Sequence, residues 1–232
     1  MSIRENLEEI RRRLAAAARR AGRSPDAIAL MAVSKTFPPG AIREAYAAGQ
    51  RLFGENRVQE FAAKAGELGD LEGAEFHLIG HLQSNKAGKA AELFHAVDSV
   101  DSLRLLEKLD SAAAKAGKHV SILVEVNVGG EEQKSGMTPD SPELLQILEA
   151  ATLKSVELRG LMTVPPYTDD PEGARPYFRA LRELRDRVAA RFPGAQMNTL
   201  SMGMSHDFEV AIEEGSTCVR IGSAIFGARD KQ

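Results

Sequence analysis

Short apolar segments alternate with longer segments of helical periodicity along almost the whole chain. The short segments are rich in aliphatic and β-branched residues and stop at glycine or polar residues, which is typical of strands buried on both faces. Eight of them are predicted to be strands, at 28–35, 51–56, 75–82, 96–100, 120–128, 156–164, 199–205 and 218–226. Amphipathic helices are predicted between them, at 39–49, 58–68, 102–118, 141–151, 174–192 and, in a shorter form, 207–215.

A further helix is predicted before the first strand, over residues 1–22. Ser2 and Glu5 have the spacing of a capping box, in which each side chain binds the backbone N–H of the other. Apolar residues recur with helical spacing after the cap, at Ile3, Leu7, Ile10 and Leu14. Two i,i+4 pairs are expected to form salt bridges on a solvated face, Glu8 with Arg12 and Glu9 with Arg13.

Strands that alternate with helices pair in parallel through crossover connections, and eight such strands close a TIM barrel. The longest irregular stretch, 128–142, lies between a strand and a helix, and no linker or change of composition divides the chain. We therefore predict an α/β fold, a single (β/α)₈ TIM barrel over residues 1–232, on which the helix 1–22 packs. An open, doubly wound sheet is the alternative.

Composition and charge mainly exclude classes of function. Of the 232 residues, 43% are hydrophobic, and the net charge is −3, so no basic surface argues for nucleic acid or an anionic membrane. No uninterrupted apolar run approaches the roughly 20 residues that span a bilayer. Cys218 is the only cysteine, which excludes an intramolecular disulfide and favours a cytoplasmic location.

Polar side chains gather where the predicted strands end, which is where TIM barrels place their active sites. The loops after the seventh and eighth strands often hold a phosphate group in such barrels. Here these loops offer hydroxyls and glycines, at Ser201, Gly203, Ser205, Gly222 and Ser223. Closure makes the eighth strand the neighbour of the first, so Lys35 is expected beside this phosphate site.

Lys35 ends a strand of apolar residues and would lie near Arg220. Apolar surroundings and a neighbouring cation lower the pKa of an amine, and the neutral amine attacks carbonyls to give a Schiff base. A compact aldehyde that carries a phosphate satisfies both features, and pyridoxal 5′-phosphate is the candidate.

Each assignment has a simpler structural alternative. Lys35 could be a solvated or ion-paired lysine, and Arg220 could be the ion-pair partner of Glu55 or Glu125. The glycines at 203 and 222 could serve only tight turns. The loop 128–142 is either a lid whose Lys134 and Ser135 approach the ligand or a solvated, charged loop. No metal site is expected, because His77 and His81 have no matching cysteine or carboxylate cluster.

Five segments together resemble the YggS/PROSC family of pyridoxal phosphate homeostasis proteins. They are "AVSKT", "FGENRVQE", "HLIGHLQSNK", "GLMTVPP" and "SMGMSHDFEVAIEEGSTCVRIGSAIFGARD". The resemblance implies a barrel similar to the N-terminal domain of alanine racemase, with the cofactor held as an internal aldimine on Lys35. It also implies that Arg220 faces the pyridine nitrogen, that Ser205, Gly222 and Ser223 hold the phosphate, and that Ser201 and Asn56 line the pocket.

Arg220 bears on activity, because a guanidinium only donates hydrogen bonds and leaves the pyridine nitrogen unprotonated. The cofactor is then a weak electron sink. The racemase's tyrosine base comes from a second domain, which we expect this chain to lack, so a monomer is expected. Among the three tyrosines, Tyr46, Tyr167 and Tyr177, only Tyr167 is a candidate base.

The resemblance therefore implies a carrier of the cofactor that affects the balance of amino acids and keto acids, with no catalytic residue and no established turnover. Apo enzymes that use pyridoxal phosphate are its expected recipients. Two alternatives stay open: a small racemase with the same cofactor, and a cofactor-free aldolase in which Lys35 traps a sugar phosphate.

Overall fold

Eight parallel strands close into a barrel in sequence order, and the last strand pairs with the first. The structure is a computed structural model that describes residues 2–131, 133–149, 153–192 and 196–227. The strands are β1 Ala29–Val33, β2 Leu52–Glu55, β3 Glu75–Leu78, β4 Ala96–Val100, β5 Val120–Glu125, β6 Val156–Met162, β7 Thr199–Met204 and β8 Cys218–Ile221. The predicted TIM barrel is confirmed, and the alternative of an open sheet is wrong.

Helices follow the strands and surround the barrel. They are α1 Ile3–Arg20, α2 Pro39–Ala47, α3 Val58–Ala65, α4 Ala87–Leu93, α5 Leu103–Ala116, α6 Pro142–Glu149, α7 Arg175–Arg191, α8 Phe208–Glu213 and α9 Ser223–Phe226. Of the predicted helices, the last residues of 141–151 lie outside the described residues, as do Met1 and residues 228–232 of the predicted barrel domain. None of the helices in the described ranges is long and apolar enough to cross a membrane.

The third strand ends at Leu78 and not at residue 82 as predicted, and two helices differ from the prediction. The eighth strand ends at Ile221, and the residues predicted to extend it form the short helix α9. The helix α4 was not predicted, because its seven residues have too few large apolar side chains to show a helical stripe. Both differences lie at short segments, where periodicity does not separate strand from helix.

The N-terminal helix packs on the barrel through the predicted apolar stripe. Leu7, Ile10 and Leu14 are buried, which contributes about 1.5–3 kcal/mol for each side chain. The capping box of Ser2 and Glu5 is present, with both hydrogen bonds formed.

The two predicted i,i+4 salt bridges of this helix are wrong. Arg12 binds Glu9 instead, at i,i+3 spacing, and Arg13 binds Glu209 of α8 at 2.8 Å. Arg13 leaves its helical neighbour because α1 lies against α8, where a carboxylate from a distant part of the chain is in reach. The face that the sequence suggested to be solvated is thus partly an interface between helices.

Candidate functional site

Barrel closure brings the seven predicted binding residues to the carboxyl ends of four neighbouring strands. Met31 of β1 pairs with Arg220 of β8, and Val33 pairs with Gly54 of β2. Lys35, which follows β1, is therefore flanked by the residues that follow β8 and β2. The others lie in or directly after β2, β7 and β8: Asn56, Ser201, Ser205, Arg220, Gly222 and Ser223.

Lys35 lies in a tight turn and is half-buried. The turn is closed by Phe37 N–H, which donates to Ser34 O at 3.1 Å. Thr36 has φ +67, which places a β-branched residue in the left-handed region. The ring of Phe37 stacks on Phe226 of α9 with the centroids 4.9 Å apart. The lysine turn and the helix after β8 are thus in direct contact.

Arg220 is 4% exposed and occupies the barrel interior. Its Nη1 donates to Ser201 Oγ and its Nη2 to Thr163 O, both at 2.7 Å. Burial lowers the pKa of Arg220, although a guanidinium still stays protonated in a protein. Among the described residues, no carboxylate lies within ion-pair distance, so the alternative in which Glu55 or Glu125 pairs with Arg220 is wrong. The guanidinium retains N–H donors that these two bonds do not use.

The loop after β7 is held in a fixed conformation around Ser205, which is half-buried. Asp207 Oδ1 accepts from Met204 N–H at 2.6 Å, and Asp207 N–H donates to Met204 O at 3.1 Å. Burial raises the pKa of Asp207. His206 Nε2 lies 3.1 Å from the carbonyl of Thr168, and because a carbonyl only accepts, Nε2 carries the proton.

The two glycines of the predicted phosphate site differ in how much space a side chain would have there. Gly203 has φ +94, and a Cβ there would lie 2.5 Å from the Cβ of Ala211, so the close packing of α8 demands glycine. Gly222 has φ −112, and a Cβ there would meet only Val33 at 3.5 Å, an ordinary contact. The packing of α8 therefore accounts for Gly203, and a Cβ at Gly222 would find space beside Val33. Ser223 opens α9, so its N–H has no partner within the helix.

The irregular stretch after β5 folds back onto the end of that strand. Asn127 N–H donates to Met137 O at 2.8 Å, and Met137 N–H donates to Glu125 O at 2.9 Å. Lys134 Nζ donates to Pro165 O at 3.1 Å and forms an ion pair with Glu131. The Lys134 side chain is therefore bound by groups of the protein itself, one of which, Pro165 O, lies on the loop that follows β6.

Glu125, at the end of β5, is 9% exposed. Burial, followed by the repulsion of Asp101, raises its pKa to about 7, while Arg220 and His81 act in the opposite direction. Glu125 is thus a second carboxylate, after Asp207, whose pKa is raised, and it lies on the side of the barrel opposite β1.

No described tyrosine is placed as an opposing base. Tyr167 is 79% exposed, and its ring stacks on His206 with the centroids 5.7 Å apart. The Tyr46 hydroxyl donates at 2.8 Å to the carbonyl of Glu72, which precedes β3 and is therefore away from the carboxyl ends of the strands, and Tyr177 lies in α7.

Sequence reasoning missed one buried ion pair beside Lys35. Lys64 Nζ lies 2.8 Å from Glu55 Oε1, and the two side chains are 9% and 0% exposed. The sequence suggests Glu55 only as a partner of Arg220. The one available signal was that Lys64 follows Phe61 by three residues, on the face of α3 that is buried.

Comparisons with known proteins identify the family of this chain. A family model described as "Alanine racemase, N-terminal domain" matches residues 5–230. Proteins named "Pyridoxal phosphate homeostasis protein" from Aquifex aeolicus and Pseudomonas aeruginosa are 46% and 44% identical to this chain, over 99% of it and over 99% and 96% of their own lengths.

A solved structure of PipY from Synechococcus elongatus, with pyridoxal phosphate bound, is also similar. It has a TM-score of 0.86 and 39% identity, and the match covers 97% of this chain and all of PipY. The chain belongs to the alanine racemase N-terminal domain family and, within it, to the YggS/PROSC family of pyridoxal phosphate homeostasis proteins.

Proposed function

We propose that this chain binds pyridoxal 5′-phosphate covalently through Lys35 and carries it, without turning over a substrate. The observation that carries the proposal is the seam between β1 and β8. There the turn of Lys35 contacts α9 through Phe37 and Phe226, and Arg220 is buried in the adjacent strand. An amine, an interior cation and a loop of hydroxyl and N–H donors thus belong to neighbouring strands and the loops that follow them.

The chemistry of this donor set fits the cofactor. Lys35 supplies a primary amine for the aldehyde, and Arg220 supplies unused N–H donors for the ring nitrogen. Ser205, Ser223 and the N–H groups at the start of α9 supply donors for a phosphate, and Gly222 adds no side chain in front of them. Ser201, which accepts a hydrogen bond from Arg220, orients the guanidinium, and Asn56 directly follows β2, the strand that pairs with β1.

Arg220 is the reason for proposing a carrier. The cofactor, when bound, supplies an electron sink whose strength depends on a protonated ring nitrogen. A permanently charged guanidinium donates to that nitrogen and cannot protonate it in the way that a carboxylic acid partner does. Arg220 thus holds the ring and keeps the sink weak, and no described tyrosine is placed as an opposing base.

The relatives support the same proposal. Two of them, 46% and 44% identical, are named for the homeostasis of pyridoxal phosphate, and PipY was solved with pyridoxal phosphate bound. We extend the proposal to the whole chain as one cofactor-binding domain, monomeric and cytoplasmic, whose cargo passes to apo enzymes that require it. Cys218, the one cysteine, is buried, which is consistent with a reducing compartment.

Absorbance spectroscopy tests the proposal. The purified protein titrated with pyridoxal phosphate is expected to develop a visible band that Lys35→Ala lacks. Incubation with amino acids in heavy water is expected to give no exchange of the α-proton at enzymatic rates. Rapid exchange would support the racemase alternative, and a protein that stays colourless and binds no pyridoxal phosphate would favour the aldolase.

A further inference from the structure

The turn that carries Lys35 has a backbone that its own sequence does not favour. Lys35 and Thr36 are its two central residues, between Ser34 and Phe37. Thr36 has φ +67, a left-handed conformation usually taken by glycine or asparagine. A β-branched residue persists there only where surrounding groups impose the conformation.

Lys64 supplies that constraint from a different element, α3. Its Nζ donates to Ser34 O and to Phe37 O, each at 3.1 Å. These carbonyls belong to the first and last residues of the turn. The third partner of the ammonium is Glu55 Oε1, at 2.8 Å. All three N–H donors of Lys64 therefore have acceptors, and two of them hold the ends of the turn.

Glu55 links the same ammonium to the side chain of the turn. Its Oε1 also accepts from Ser34 Oγ at 2.5 Å, and its Oε2 is buried with no hydrogen-bond partner among the described residues. Burial raises the pKa of Glu55, and Lys64 and Ser34 oppose that rise. A buried ion pair costs desolvation that its attraction often only balances, so stability alone does not account for this pair.

We propose that Lys64, held by Glu55, is a positioning residue for Lys35. It fixes the backbone of the turn so that the amine of Lys35 stays at the seam between β1 and β8. This inference rests on the proposed function, because it concerns the covalent step. In that step a carbon–nitrogen double bond forms between Lys35 Nζ and the aldehyde carbon, and the aldehyde oxygen leaves as water. Lys64 acts on this step without touching the ligand.

Two ligands separate positioning from general loosening of the barrel. Pyridoxal 5′-phosphate can bond to Lys35, whereas pyridoxamine 5′-phosphate has the same ring and phosphate but no aldehyde. In Lys64→Met, the affinity for pyridoxal phosphate is expected to fall about tenfold or more, because the reacting amine is misplaced. The affinity for pyridoxamine phosphate is expected to stay as in the parent protein. Isothermal titration calorimetry measures both.

A double variant separates positioning from stability. Glu55→Gln combined with Lys64→Met removes both charges and leaves an amide oxygen to accept from Ser34. The melting temperature is expected to recover relative to Lys64→Met, because no unpaired charge stays buried. The affinity for pyridoxal phosphate is expected to stay low, because the ends of the turn are still released.

Glu214→Gln is the matched control. Glu214 is also a buried carboxylate, and it binds arginines of α7 on the outside of the barrel. Its variant is expected to melt at a lower temperature and to bind pyridoxal phosphate as the parent does.

Three results would overturn the positioning role: parental affinity for pyridoxal phosphate in Lys64→Met, equal weakening of both ligands, or parental affinity in the double variant. If Lys64→Met does not fold, the double variant decides. A parent protein that forms no bond with pyridoxal phosphate would refute the proposed function instead, which keeps the two failures distinct.

Discussion

Glu125 gives the chain a pH dependence of stability that can be calculated from the structure. Burial, and then Asp101, raises its pKa from 4.5 to about 7. Between these two values the folded protein holds a proton that the unfolded chain has released, so stability must fall as the pH rises. The stabilising contribution of the protonated carboxyl is present in full below about pH 4.5 and is lost as the pH rises through about 7. For these pKa values, the loss between about pH 5 and pH 8 is about 2.5 kcal/mol.

Glu125→Gln removes this dependence, because the amide resembles the protonated carboxyl at every pH. The free energy of unfolding should be measured in urea at several pH values, by circular dichroism, since the chain has no tryptophan. We expect the variant to gain about 2.5 kcal/mol over the parent between about pH 5 and pH 8. Glu107→Gln, an exposed site on α5, is the control and should follow the parent.

His77 adds a second pH dependence of stability, which is the same in the parent protein and in Glu125→Gln. Burial alone would lower its pKa, but Asp98 and Glu75 raise it to about 9. Its stabilisation is present below about pH 6.5 and is lost as the pH rises through about 9. The contribution of His77 is therefore absent from the difference between the two pH curves. Parallel pH curves for the parent and Glu125→Gln would therefore refute the reasoning about Glu125 itself.

Three further predictions concern the site. Gly203→Ala should lower the free energy of unfolding by about 2–4 kcal/mol in urea denaturation, because it combines φ +94 with a clash against Ala211; an unchanged value would contradict that packing. Asp207→Ala removes the acceptor of Met204 N–H, and calorimetry should show weaker binding of pyridoxal phosphate with a smaller effect on pyridoxal, which has no phosphate. Equal weakening of the two affinities would exclude a phosphate role for this loop. Arg220→Glu should increase α-proton exchange with bound cofactor in proton NMR, and an unchanged rate would contradict the assigned effect of Arg220 on the ring.

The barrel could be predicted because the pattern of a buried strand followed by a helix is repeated along the chain. Eight doubly buried strands at regular spacing leave few topologies, and closure then places Lys35 beside the end of β8 without any knowledge of side-chain contacts. The cap of α1 could also be predicted, because Ser2 and Glu5 are close in sequence.

What could not be predicted depends on contacts between distant residues. Arg13 has a glutamate four residues before it, but it binds Glu209, which α8 brings within 2.8 Å. Lys64 resembles any solvated helical lysine until α3 places it under the turn of Lys35. The helix α9 was missed because its apolar residues also fit a continuing strand. Such alternatives are decided by tertiary packing, which a local pattern does not contain.

Borohydride reduction shows most directly whether pyridoxal phosphate bonds to Lys35. The protein is incubated with pyridoxal phosphate, reduced, digested and analysed by mass spectrometry. We expect one phosphopyridoxyl group per chain, located on the peptide that contains Lys35, and no such peptide in Lys35→Ala. Modification that is spread over surface lysines, or confined to a lysine other than Lys35, would contradict it.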